Sequence, residues 1–246
     1  MKRLENQNVL ITGASSGFGR AIALACAADG ANVALVARRE AELQEVAALA
    51  EAQGVRAVVC PADVGDEAQV TAAFEAARNA LGPIDILVNN AGTNVRARTI
   101  QDTSSDEWRL LMDVNLTSAF LFTKAVLPDM KARQNGLIIN LASRSALHPG
   151  IGGGVAYSTS KMGMDALNQI TNQEANSLGV RATLICPGSA NTAIVDRRPK
   201  PPTPEEREFL LQSEDIAEAV IFVATLPPRA HIELIALKPT RTGAIP

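Results

Sequence analysis

Short β-branched or apolar runs recur along this chain between longer, alanine-rich stretches. That alternation limits the possible fold more than any other feature. The runs are NVLIT (8–12), NVALVA (32–37), RAVVC (56–60), IDILVN (84–89), LIINL (137–141), RATLIC (181–186) and IELIAL (232–237). The stretches between the first four, FGRAIALACAADG, EAELQEVAALAEAQG and EAQVTAAFEAARNALG, carry apolar residues at helical spacing and close on Gly30, Gly54 and Gly82. A glycine at that place permits the left-handed turn that stops a helix. Most of the short runs are apolar at every position, as strands are when helices cover both faces. Unbroken strand–helix alternation predicts an α/β fold with one doubly wound parallel sheet of about seven strands. No shift in composition divides the 246 residues, so 1–246 is expected to form a single domain. The proline-rich DRRPKPPTPEE (196–206) is expected to be a loop after the sixth strand.

Composition narrows the partners. Apolar residues make up 47%, charged residues 20%, and the formal net charge is −3. Nothing there marks a nucleic-acid surface. Cys26, Cys60 and Cys186 lie far apart in apolar runs. They read as buried thiols of a reducing compartment, not as a disulfide frame or a zinc site. His148 and His231 make no ligand cluster, so no metal is expected. The start, MKRLENQN, is too polar for a signal peptide. No apolar run approaches the ~20 residues of a membrane span, so no membrane partner is expected and the default location is cytoplasmic.

Chemistry concentrates in a few places. TGASSGFG (12–19) follows the first strand and opens the first helix, with Gly13, Gly17 and Gly19 spaced G-x-x-x-G-x-G. Glycines let a pyrophosphate approach the backbone, and the helix start offers free N–H groups and a positive dipole end. A glycine-rich turn without a ligand is the plainer alternative. The only tyrosine, Tyr157, precedes Lys161 by four residues in a helical pattern, which puts both on one face. A nearby ammonium would lower the phenol pKa from about 10 and make an acid/base pair. A half-buried tyrosine beside a solvent-facing lysine would look the same. Ser143 closes the strand LIINLAS, at the edge where ligands bind in open α/β sheets. Ser145 competes with it for the role of holding a substrate oxygen. NNAG (89–92) ends the fourth strand at the same mouth. Asn115 lies inside a long helical pattern, either as a surface residue or as the support of a local distortion.

Together these residues resemble the short-chain dehydrogenase/reductase family in its short, single-domain form. The resemblance runs from VLITGASSGFG to the last strand. It takes in the glycine loop, the adenine-side Asp63 of ADV, NNAG, Asn115, Ser143, YSTSK and the Pro187–Gly188 pair of CPGSANT. It implies a Rossmann-type fold and a hydride-transferring oxidoreductase acting on a small alcohol or carbonyl. Tyr157 would be the acid/base and Ser143 would orient the substrate oxygen. Lys161 would tune the tyrosine and bond the nicotinamide ribose, and Asn115 would hold a water of the proton relay. Cofactor contacts are implied at Gly13, Ser15, Ser16, Gly17, Phe18, Gly19, Asp63, Val64, Asn90, Ala91, Gly92, Tyr157, Lys161, Pro187, Gly188 and Thr192. A nucleotide-sensing protein without catalysis is the alternative on the same fold. Such a protein would be expected to lose the tyrosine or the lysine.

Cofactor choice can be read at the end of the second strand. Enzymes that prefer NAD place a carboxylate there for the ribose 2′-hydroxyl. Here Ala37 is followed by Arg38 and Arg39, and guanidinium groups suit a 2′-phosphate. NADP(H) is expected, with Arg38 the main contact and Arg39 assisting. A loop about 188–210 should cover the substrate. Arg96, Arg98, Arg144, Arg197, Arg198, Lys200 and His148 lie in loops near the mouth. They are either solvated charges or anchors for a substrate carboxylate. Many members of the family end in VDGG, whereas this chain ends HIELIALKPTRTGAIP, with Pro239 closing the strand. That end is similar to a subgroup acting on small 3-hydroxy acids and related carbonyls. Apolar faces of the helical patterns around 104–131 and 155–178, with the family resemblance, imply a homotetramer or a dimer.

Overall fold

The computed structural model describes residues 2–240. Among them seven strands form one wholly parallel sheet. They are β1 (Asn8–Thr12), β2 (Asn32–Ala37), β3 (Ala57–Pro61), β4 (Ile86–Asn89), β5 (Gly136–Leu141), β6 (Val180–Pro187) and β7 (Leu234–Leu237). Their order, 3-2-1-4-5-6-7, is that of a Rossmann-type sheet. The chain winds outward from β1 to β3, then crosses back to β4 beside β1. At that reversal the carboxyl ends of β1 and β4 open a crevice.

The main helices are α1 (Gly17–Ala28), α2 (Glu40–Glu51), α3 (Glu67–Leu81), α4 (Ser105–Met112) and α5 (Ser118–Arg133). They continue with the short α6 (Arg144–Leu147), the long α7 (Val155–Ala175), the short α8 (Pro204–Arg207) and α9 (Ser213–Ala224). Strand residues alternate between the two faces. Val9 and Ile11 of β1 pack in one core with residues of α1, α2 and α9, while Leu10 packs in the other with residues of α3 and α5. Both faces of β1 and β5 are buried along their whole length, as the continuous apolar runs predict. The last strand departs from that pattern: among the described residues β7 pairs only with β6, and it is half-exposed. Residues 241–246 of the unusual C-terminal end lie outside the described residues.

Two further sequence expectations meet the structure here. Cys26, Cys60 and Cys186 are all buried, and burial pushes their thiols up to about 12, 11 and 11. The expectation that no segment nears a membrane span fails on composition. The continuous helical stretch Ser105–Arg133 is long and apolar enough to cross one. In this fold Leu111, Phe122, Val126 and Met130 of that stretch are instead buried in the protein.

That stretch is not a regular α-helix. A π-helical turn, Asp113–Thr117, separates α4 from α5, and the Ser118 N–H donates to the Asp113 carbonyl five residues back. Asn115 sits in this turn and is fully buried, so it marks a distortion and not a surface.

Candidate active site

The glycine loop is built by packing as much as by turn geometry. Gly13 adopts φ +68°, a conformation unfavourable to other residues. A Cβ on Gly19 would lie 2.2 Å from the Gly13 carbonyl oxygen and 2.6 Å from Asn90 Nδ2. Only glycine lets α1 start this close to the loop. Asn90 holds the loop from behind, donating from Nδ2 to the carbonyls of Thr12 (2.7 Å) and Gly13 (3.3 Å). Thr12 Oγ1 in turn accepts the Asn90 and Ala91 N–H groups at 3.0 and 2.9 Å. Asn90 and Ala91 therefore brace the cradle. Ser16, before α1, makes no side-chain capping bond, which leaves the first-turn N–H groups of the helix without a side-chain partner.

The adenine-side residues meet across the ends of β2 and β3. Arg39 Nη2 donates to Ser15 Oγ (3.1 Å) and Ser16 Oγ (2.9 Å), and Nη1 pairs with Glu42 at 3.0 Å. Arg38 is exposed and lies 3.8 Å from an Asp63 carboxylate oxygen. So Arg39, not Arg38, bridges to the glycine loop. Asp63 also accepts the Gly65 N–H at 3.0 Å, and Val64 is buried.

Tyr157, Lys161 and Ser143 converge at the ends of β5 and α7. Lys161 is 3% exposed, and its Nζ donates to the Leu141 carbonyl at 2.8 Å. Burial lowers its pKa to about 8. The same Nζ lies 5.9 Å from the centre of the Tyr157 ring. The phenol behaves differently from the sequence expectation. Its pKa is raised, because burial outweighs the hydrogen bond with Ser143 and the positive charge of Arg198, which both lower it. Ser143 and Ser145 separate by position. Ser143 meets the phenol and its Oγ accepts the Ser145 N–H at 3.1 Å. Ser145 Oγ packs under the glycine turn, 2.9 Å from where a Cβ on Gly153 would stand.

Asn115 lies behind the lysine. Its Oδ1 accepts the Thr93 N–H at 2.7 Å, and its Nδ2 donates to the Thr93 carbonyl (3.0 Å) and to Ser160 Oγ (3.1 Å). Gly92 fills the gap: a Cβ there would be 3.6 Å from both Asn115 Oδ1 and Lys161 Nζ. Thr12 and Ser160 had no place in the sequence reading. Thr12 belongs to the glycine-loop motif, but only its place at the end of β1 beside Asn90 and Ala91 gives its side chain a role.

A cleft of ≈ 540 Å³ runs from Phe18 past Ser143 and Tyr157 to the segment after β6. Thr192 lies over the glycine loop, with its Cγ2 3.6 Å from where a Cβ on Gly17 would stand. Gly188 lines the same cleft and is held by β7, where its N–H donates to the Leu237 carbonyl at 2.7 Å. The loop 93–98 and the segment 193–198 are tied together. Arg98 donates to the Arg197 carbonyl (3.0 Å), and Arg197 to Thr93 Oγ1 (2.6 Å) and the Asn94 carbonyl (2.8 Å). Arg98 is thus a buried residue and not a solvated loop charge, while Arg96, His148 and Lys200 are exposed.

The pattern of the short chain dehydrogenase family matches residues 7–202 of this chain. The chain belongs to that family. Among its relatives in the family, an "uncharacterized oxidoreductase" of Staphylococcus aureus (strain USA300) is 33% identical over 239 residues, covering 97% of this chain and all of the relative. An alcohol dehydrogenase of the archaeon Thermococcus sibiricus, solved with 5-hydroxy-NADP, superposes with a TM-score of 0.85 at 30% identity. That match covers 95% of this chain and 97% of the other. The closed form of a serine dehydrogenase with NADP+ gives 0.86 at 30% identity, covering 97% of each chain.

Proposed function

We propose that this chain is an NADP(H)-dependent oxidoreductase that interconverts a small alcohol and its carbonyl. One observation carries the reading: Tyr157 and Ser143 meet in a cleft that begins at the glycine loop, with Lys161 buried behind them. The residues present fit the cofactor. The close approach at Gly13 and Gly19 and the open first turn of α1 suit a pyrophosphate. Ala37 leaves no carboxylate at the end of β2, and Arg39, Ser15 and Ser16 with Arg38 offer donors for a 2′-phosphate. The NADP forms bound by the alcohol and serine dehydrogenases favour the same choice. Asp63 and Val64 would flank the adenine, and Gly92, Pro187, Gly188 and Thr192 would line the nicotinamide end. The cofactor supplies the hydride.

The chain's own groups then handle the proton and the oxygen. Because burial raises the Tyr157 pKa, the phenol is neutral at pH 7 and holds the proton that a carbonyl oxygen must receive. Ser143 bonds the same oxygen and polarises it. Lys161, with a pKa of about 8, is mostly charged at pH 7 and places positive charge on the proton's path. Asn115 fixes the backbone of Thr93 and the side chain of Ser160 around that lysine. Carbonyl reduction should therefore hold its rate through neutral pH. Alcohol oxidation should rise with pH, as the phenolate becomes accessible.

The test is NADPH and NADP+ turnover on a panel of ketones, aldehydes and hydroxy compounds. Tyr157→Phe should cut kcat by roughly 10²- to 10⁴-fold while the dissociation constant for NADPH stays within a few-fold. Wild-type turnover in that variant would refute the assignment.

A further inference from the structure

The charged residues lining the cleft are all cations: Arg98, Arg144, Arg198 and Lys200. None of them is within ion-pair distance of a carboxylate among the described residues. The nearby acid of the same segment, Asp196, is committed to Arg207. Arg98 is 7% exposed. Its Nη atoms donate to the carbonyls of Val95, Ala97 and Arg197 and to Asn94 Oδ1. Its Nε is buried with no partner. Arg198 spends one donor on Ser189 Oγ at 3.0 Å. It is close enough to Arg98 to make that guanidinium harder to charge, and close enough to Tyr157 to ease the phenol's ionisation.

Two guanidinium groups that line one partly desolvated cleft repel. A buried cation without a carboxylate is rare and costly. An anion between them would remove both penalties, and it would lie beside the phenol and Ser143. We propose that the cleft takes a substrate bearing a carboxylate, a small hydroxy acid or oxo acid, held by Arg198 with Arg98 behind it. This rests on the oxidoreductase reading above. The planar fork of Arg198 matches a carboxylate in two bonds, and its fixed place would orient the reacting carbon toward Tyr157. Arg98 contributes mainly charge, because its Nη donors already serve the backbone.

The experiment compares 2-, 3- and 4-hydroxybutanoate with the corresponding amides, using NADP+, in wild type and in Arg198→Met. Wild type should prefer at least one acid over its amide by ten-fold or more in kcat/KM. In Arg198→Met the acid should lose roughly 10- to 100-fold more than its amide, mostly in KM, as expected for a lost charge-assisted contact. Arg198→Lys should recover part of the loss. Amides used as well as the acids at every chain length would overturn the proposal. So would equal losses for acid and amide, or a fall in NADPH affinity matching the loss, which would assign Arg198 to the cofactor's phosphates.

A second measurement needs no turnover. Malonate titrated calorimetrically into the protein with NADP+ should bind to wild type and bind at least ten-fold more weakly to Arg198→Met. Malonate binding with no oxidation of any alcohol would sink the oxidoreductase reading and leave the anion site. Oxidation of neutral alcohols with no malonate binding would do the reverse.

Discussion

Lys161 shows how one side chain sets both chemistry and stability. Its folded pKa of about 8 lies below the ordinary lysine value of 10.5, because burial disfavours the ammonium. Between those two values the unfolded chain binds a proton that the folded chain has released. This group therefore destabilises the fold fully below about pH 8, and stability rises with pH across that window. Lys161→Met should abolish turnover yet gain on wild type in melting temperature at pH 7. That gain should shrink by pH 10, while the lost bond to the Leu141 carbonyl pulls against it at both pH values. Thermal unfolding at the two pH values checks this; a difference independent of pH would mean the lysine is not burdened by burial. At the other end of the site, Arg39→Leu should erode the preference for NADPH over NADH at least as much as Arg38→Leu, since Arg39 alone spans to Ser15 and Ser16. Ala37→Asp with Arg38→Leu tests the contact that the sequence favours, through kcat/KM for each cofactor. The four-residue spacing of Tyr157 and Lys161 was legible, but the direction of the phenol's pKa was not. It depends on how deeply the phenol is buried, and spacing carries no information on that.

At the level of elements, the glycine loop and α1 act as one piece. Gly19→Ala would drive a Cβ into the Gly13 carbonyl and Asn90 Nδ2, so either α1 shifts or the loop opens. The expected result is a lower melting temperature together with loss of NADPH binding, read by calorimetry. Unchanged binding would mean that the loop adapts more than its packing suggests. The strands were readable because covered parallel strands leave continuous apolar runs. Their limits moved by one or two residues: β4 begins at Ile86, two residues inside the expected run. The π-turn was signalled only by an asparagine where a helix does not favour one. The tie between loop 93–98 and segment 193–198 was not readable at all. It joins residues about a hundred positions apart through side chain-to-backbone bonds, and no local pattern encodes such a bond.

Across the described residues, large apolar side chains are exposed on several elements. Trp108, Leu110 and Phe120 on α4 and α5, with Met162 and Ile170 on α7, are exposed, as are Phe222 on α9 and Leu234 on β7. Among the described residues β7 is also an edge strand of the sheet. Exposed apolar surface of this kind suits symmetric assembly, and with the family resemblance we propose a homotetramer as the state in solution. Light scattering at micromolar concentration should return four times the mass of the chain. Phe120→Glu should halve that value, and a monomer mass for the unaltered protein would exclude the arrangement.

The brace of Asn90 and Thr12 behind the glycine loop has a thermodynamic corollary. The loop is tied to the end of β4 before any nucleotide arrives, so its conformational entropy is lost during folding and not during binding. Nucleotide fragments that reach only the pyrophosphate and adenine should thus associate in a single fast phase. Their binding heat capacity should reflect the buried contact surface alone, with no added contribution from coupled folding.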